Sequence, residues 1–201
     1  MSDLAAPDGR SAAPAPPSRL LRADARLNRD RLLAVARAAF AAADGSVPLE
    51  GIARDAGVGV GTLYRHFPTR EALVEAVYAA ELDDVTASAQ ALLDQLPPEE
   101  ALSAWMNRYA QFIVTKRGML DTLRAGWASG RITTLATRQR ITATIATILT
   151  AGARAGTLRD DVEPDDVTAL LLGAFLSTAT NDDPDQAARL LDLVVDAVRL
   201  T

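Results

Sequence analysis

The sequence predicts an all-α protein, with an N-terminal three-helix unit containing a helix-turn-helix and a larger C-terminal helical body. Three observations carry this expectation. Apolar residues recur at three- and four-residue steps through most of the 201 residues. Runs of strand-type alternation are nearly absent. Two short helical segments flank Gly57-Val58-Gly59, as a helix-turn-helix requires.

Residues 1–20, rich in Ala, Pro and Ser, read as a flexible arm, because the run Pro14-Ala15-Pro16-Pro17 favours extended backbone. The arm has no long apolar stretch and is not a signal peptide. Leu32, Val35, Ala36, Ala39, Phe40 and Ala43 then mark one helical stripe, which Asp44-Gly45-Ser46 ends. Short helices follow at about 49–56 and 61–66, stopped by Gly57 and by Phe67-Pro68. Thr69 is placed to cap a long helix reaching about Leu93, and Pro97-Pro98 breaks the chain again. Further helices are expected at about 99–116, 118–128, 132–155, 165–180 and 185–200. The segment 132–150 is a test case, since 11 of its 19 residues are Ile or Thr, a composition suited to strands. Ile141, Ile145, Ile148 and Leu149 nevertheless keep helical spacing, and no turn signal interrupts the run before Gly152. One long helix is the expectation.

Composition excludes several function classes. The chain has no cysteine, so it has no disulfide framework, thiolate metal site or cysteine nucleophile. With His66 as its single histidine, a multi-histidine metal site or a His-dependent triad is hard to build. No phosphate loop and no nucleophile–base pair is visible, so no cofactor, no metal and no enzymatic activity are expected. No stretch approaches the roughly 18 apolar residues that span a membrane, and a soluble, cytoplasmic protein is expected.

The informative segment is Leu49 to Leu73, LEGIARDAGVGVGTLYRHFPTREAL. Ile52 and Ala53 can pack inward, Ala56 permits close helix approach, and Gly57 tolerates the twist at the turn. Val58 and Leu63 point back to the core and fix the second helix. Its other positions are then free to face a duplex. Thr62 and Tyr64 offer hydroxyls, His66 a ring donor, and Arg65 a forked cation for a guanine edge or a phosphate. Gly61 removes a side chain where backbone would come nearest to DNA. Arg70, opening the next helix, is placed to meet a phosphate.

The run Gly61-Thr62-Leu63-Tyr64-Arg65-His66-Phe67, with Ile52-Ala53, Ala56-Gly57-Val58 and Arg70-Glu71-Ala72-Leu73, closely resembles the TetR family of bacterial transcriptional regulators. The resemblance covers about residues 26–85 and beyond that reaches only to helix pattern and length. It implies a repressor that binds palindromic operator DNA as a homodimer and is released by a small-molecule effector in the C-terminal body. Carried over by position, Val60, Gly61, Thr62, Tyr64, Arg65 and His66 would face DNA, with Arg70 on the backbone. Three positions depart from the family pattern. Pro48 stands where a capping hydroxyl is common, Gly51 weakens the first motif helix by about 1 kcal/mol relative to Ala, and Arg70 replaces the more usual Lys. The implied division is an arm at 1–20, a DNA-binding domain at 21–85 and an effector-binding and dimerisation domain at 86–201. The competing readings are an all-helical interaction module and an enzyme, both without DNA binding.

Charge is unevenly spread. The net −5 combines +4 over residues 18–70 with −9 over the remainder. Arg19, Arg22, Arg26 and Arg29 lie just before or within the first helix, where they could add phosphate or minor-groove contacts.

In the body, Val167, Leu170, Leu171, Leu172, Phe175 and Leu176 spread around most of one helix, and the final helix is apolar on at least two faces. Helices apolar nearly all round are buried on nearly all sides. Two from each of two chains would form a four-helix dimer interface, for which Leu171, Phe175, Leu191, Val194, Val195 and Val198 are the candidates. Trp105, Tyr109, Phe112, Met119, Trp127 and Phe175 are candidates for an effector pocket, although such an aromatic stripe is more often core. The effector itself is not readable.

Overall fold

The computed structural model describes residues 19–42, 47–130, 134–178 and 184–200. Nine helices run through them: α1 (Arg19–Ala42), α2 (Leu49–Asp55), α3 (Val60–His66), α4 (Arg70–Leu93), α5 (Pro98–Arg117), α6 (Leu120–Ala128), α7 (Thr134–Ala155), α8 (Pro164–Ser177) and α9 (Pro184–Val198). The expected arm, up to residue 18, and the Asp44-Gly45-Ser46 stop lie outside the described residues. Among the described residues no helix is long and apolar enough to cross a membrane.

Local chemistry sets the boundaries. Thr69 accepts a hydrogen bond from the Ala72 N–H at 3.2 Å, so α4 begins on a side-chain cap. Pro48 precedes α2 with no side-chain cap. Proline also stands at the first turn of α5 and α8, where a missing N–H costs nothing. The threonine-rich segment is helical from Thr134 onward, and the Thr144 and Thr147 hydroxyls donate to the Arg140 and Ala143 carbonyls. These threonines satisfy themselves one turn back along their own helix, so helical period overrides strand composition.

Helix α5 is the centre of the molecule and packs against α1, α4, α7 and α9. Trp105 on α5 is fully buried, and its indole N–H donates to the Val85 carbonyl of α4 at 2.9 Å. That bond removes the cost of a buried unpaired donor. Polar ties close the body around this centre. The Tyr78 and Thr137 hydroxyls lie 2.8 Å apart between α4 and α7. Arg140 reaches Asp83 at 2.7 Å across the same pair of helices, and Arg138 holds both Asp165 oxygens between α7 and α8. A short antiparallel bridge between Leu158 and Arg199 fastens the end of α9 to the α7–α8 connection.

One continuous buried cluster runs from Leu32 to Val198. The division expected near residue 85 therefore falls inside a shared core, because α4 contributes side chains to both parts. A second junction lies at the turn between α5 and α6. A Cβ built on Gly118 would clash with the Phe40 carbonyl oxygen in the last turn of α1. The clashing atom is helix backbone and cannot swing aside. Gly118→Ala is expected to destabilise the fold by roughly 1–3 kcal/mol. Thermal denaturation checks it, and an unchanged melting temperature would refute the close contact.

Candidate nucleic-acid interface

The interface is built from α2, its turn and α3. Ile52, Ala53 and Ala56 are buried beneath α2, and Leu63 is the buried anchor of α3. The turn between them is made by Gly57, whose φ of 69° is left-handed and strained for any residue with a Cβ. The Val58 N–H donates to the Ala53 carbonyl at 3.0 Å, and the Leu63 N–H to the Gly59 carbonyl at 3.1 Å, so both ends of the turn are bonded.

Burying Leu63 turns the opposite side of α3 to solvent. Val60, Gly61, Tyr64 and Arg65 are exposed, Tyr64 by 41%, while Thr62 and His66 are half-buried. A Cβ on Gly61 would meet nothing, so the protein interior does not require glycine there. Phe67 is buried immediately after α3, with the Arg29 guanidinium of α1 5.3 Å from its ring centre. Arg29 of α1 is thereby brought beside the end of α3.

Arg70 differs from the free phosphate ligand that the sequence suggests. It is half-buried, donates to the Val47 carbonyl and lies with its guanidinium 5.7 Å from the Phe40 ring centre. Its position ties the entry of α2 to the ends of α1 and α4.

The candidate pocket residues divide into two places. Trp105, Tyr109, Phe112 and Phe175 form one aromatic cluster with centroid separations of 5.6–5.8 Å through Tyr109, and Tyr78 joins through Phe112 at 5.6 Å. Tyr78 is absent from the sequence-based candidates, although Val74, Tyr78 and Leu82 share a helical row that marks it as inward. Met119 is buried at the α5–α6 turn, whereas Trp127 is half-buried on α6 with the Lys116 ammonium 5.1 Å from its ring centre. Burial lowers the Lys116 pKa from its ordinary value.

The six residues expected at a dimer interface are all buried within the subunit. Leu171, Phe175, Leu191, Val195 and Val198 occupy the inward sides of α8 and α9, and Val194 reaches the floor of the groove between them. The apolar residues turned outward are Leu170, Leu176 and Leu193, exposed by 53%, 76% and 63%. An open groove of about 730 Å³ runs between these helices, lined by Leu170, Gly173, Leu190 and Leu193 among others. Counting 100° per residue separates the two faces, but both are apolar, so the residue pattern does not say which one the subunit uses.

The arrangement defines a helical protein with a DNA-reading head on a helical body. Residues 32–77 match the model of the bacterial regulatory proteins, tetR family, and residues 97–200 match the C-terminal domain of the SbtR-like transcriptional regulators. A TetR transcriptional regulator from Streptomyces coelicolor is 46% identical, with a TM-score of 0.76 over 86% of this chain and 99% of that one. The TetR transcription regulatory protein from Mycobacterium vanbaalenii is 36% identical, with a TM-score of 0.70 over 90% and 99%. An HTH-type transcriptional regulator from Staphylococcus aureus is 30% identical over 53% of this chain, and the match spans only 58% of that relative. The chain belongs to the TetR family of transcriptional regulators and is a DNA-binding regulator by that membership.

The Tyr109 phenol is pushed up from 10.0 to about 12, chiefly by burial and then by the neighbouring Tyr78. A raised phenol favours the folded state fully below pH 10, and this contribution is lost as pH rises through about 12. Alkaline titration of phenolate absorbance should show a component near pH 12 that Tyr109→Phe removes. Ionisation of every tyrosine at the ordinary phenol value, with nothing left to titrate near 12, would contradict the buried placement.

Proposed function

We propose that this chain is a cytoplasmic, non-enzymatic repressor that binds palindromic operator DNA as a homodimer and is released by a small-molecule effector. The observation that carries the reading is the polar, small-residue face of α3, set outward by the burial of Leu63 on the opposite side. Val60, Gly61, Thr62, Tyr64, Arg65 and His66 would meet the major groove, where a forked Arg65 and the Tyr64 hydroxyl suit base edges or phosphate. Arg70 would act mainly by holding the motif in place, with any phosphate contact secondary to its bond with Val47.

Dimerisation is proposed through the outward faces of α8 and α9, with Leu170, Leu176 and Leu193 replacing the six inward residues as the contact set. Exposed leucines along a groove favour a second apolar surface. The effector would enter the body near the Tyr78–Trp105–Tyr109–Phe112–Phe175 cluster, which touches α4 as well as α5 and α8. Because α4 also begins at Arg70, a shift there would move the reading heads. Two heads that no longer match successive groove faces lose simultaneous engagement, and affinity falls.

Genomic fragments selected by the protein should share an inverted repeat, and Tyr64→Ala or Arg65→Ala should each weaken binding to it by about 1–3 kcal/mol. Equal affinity of both folded variants and the parent would remove α3 from the interface. For the dimer, Leu170→Asp combined with Leu193→Asp should yield folded monomers in sedimentation. A dimer that survives both acids would place the interface elsewhere.

A further inference from the structure

The inward row of α5 ends on a cation. Trp105, Tyr109, Phe112 and Lys116 follow at steps of four, three and four, so they share one face within about 60° of arc. The first three are buried, and Lys116 is half-buried. It is the only lysine in the chain, every other residue of the 21 Lys+Arg being arginine. A long cationic side chain at the edge of an apolar face ordinarily turns its charge out to water. This one lies over the Trp127 ring of α6, 5.1 Å from its centre, and burial lowers its pKa. The last two turns of α5 hold no acid. Asp121 on α6 is exposed and paired with Arg124 at 3.5 Å, and the buried Glu81 of α4 is held by Arg37. Among the described residues Lys116 therefore has no acid partner.

A second donor beside it is also unmatched. The Trp127 indole N–H is shut off from solvent and has no acceptor among the described residues. The other tryptophan differs, since its N–H is bonded to the Val85 carbonyl. Buried polar groups are nearly always paired, because an unmet donor gives up its water and gains nothing in return. An ammonium and an indole N–H, both withdrawn from water at one place, complement a group that only accepts and carries negative charge. An ionised carboxylate is such a group. From this point apolar residues continue in one direction along α5, with Tyr109 about 10 Å from Lys116 along the axis. The half-buried pair, Lys116 and Trp127, marks the solvent side of the row.

We propose that Lys116 and Trp127 form the head-group subsite for an amphipathic carboxylate, whose apolar part extends along α5 toward Phe112 and Tyr109. This rests on the effector reading and names the class of molecule that the body takes. The carboxylate draws the ammonium off the ring and accepts from the indole N–H. Because the row is closely packed, the apolar part enters by parting α6 from α5. Helix α6 has nine residues and begins just after the Gly118 turn, which lies against Phe40 of α1. Movement of α6 is thus passed to the seat of the reading head.

The test uses the full chain with decanoate and 4-phenylbutyrate as probes, each below its aggregation concentration, and decanol and 4-phenylbutanol as uncharged counterparts. Carbon-13 lysine labelling gives a single side-chain ε-methylene signal, because no other lysine is present. At least one carboxylate should move that signal and bind more tightly than its alcohol in calorimetry. Lys116→Met keeps the apolar stem and should weaken the carboxylate by about 10–100-fold while leaving the alcohol unchanged. Trp127→Phe keeps the ring and should reduce the same preference. Equal binding of acid and alcohol by the parent would overturn the proposal, as would a lysine signal that neither carboxylate moves. A carboxylate that binds through Lys116 yet leaves operator affinity unchanged supports the subsite and counts against effector release. Operator release by a carboxylate that is undiminished in Lys116→Met supports release and overturns the subsite.

Discussion

Phe40, in the last turn of the first helix, is approached from two sides in different ways. The Arg70 guanidinium lies over its ring, and the turn at Gly118 comes so near its carbonyl that a Cβ there would clash with it. Arg70 also bonds the Val47 carbonyl just before α2, so one side chain joins the end of α1, the entry to the motif and the start of α4. Cation–ring attraction contributes about 0.5–2 kcal/mol, more where water is excluded. Steric contact at Gly118 is stiffer, because backbone meets backbone with no side chain to yield. Between them they fix how the reading head sits on the body. The orientation of α3 depends on this seat as much as on its own turn.

The opposite side of that junction is the body core, organised around α5. Trp105 fills the space between α4 and α5 and bonds into α4, while Tyr109 gathers Phe112 and Phe175 around it. Glu81 of α4 is also buried and paired with Arg37 of α1, and burial raises its carboxyl pKa above the ordinary value even beside that cation. Arg37 is further tied to Asp84 at 3.2 Å. Helix α4 is thus bound to α1 on one side and to α5 and α7 on others. A change in packing around the aromatic cluster bears directly on the element that carries Arg70.

Much of this is legible in the residues. The order of helices, the Thr69 cap, the Gly57 turn and the inward Leu63 follow from short-range rules that operate within a few residues. The helicity of the Ile/Thr segment follows from period against composition. What is not legible depends on contacts distant in sequence. The sense of α8 and α9 cannot be read, because both faces are apolar and the inward one is chosen by the helices they pack on. Arg70 looks like a free cation, since nothing local indicates that Val47 and Phe40 lie within its reach. Trp127 belongs with the aromatic cluster by residue type, yet it sits on α6 beside Lys116.

The separation of charge between head and body has a consequence for how the molecule arrives at DNA. A +4 segment on a −9 remainder makes the protein a dipole, with its positive end where α1 and α3 meet. In the field of a polyanion such a body experiences a torque as well as a force, and it rotates head-first while still diffusing. Collisions that lead with the acidic body are repelled before contact. At physiological ionic strength the effect acts over about 8 Å, so it operates in the last step of encounter. The asymmetry therefore governs the fraction of encounters that begin in a productive orientation, a kinetic property invisible in the net charge.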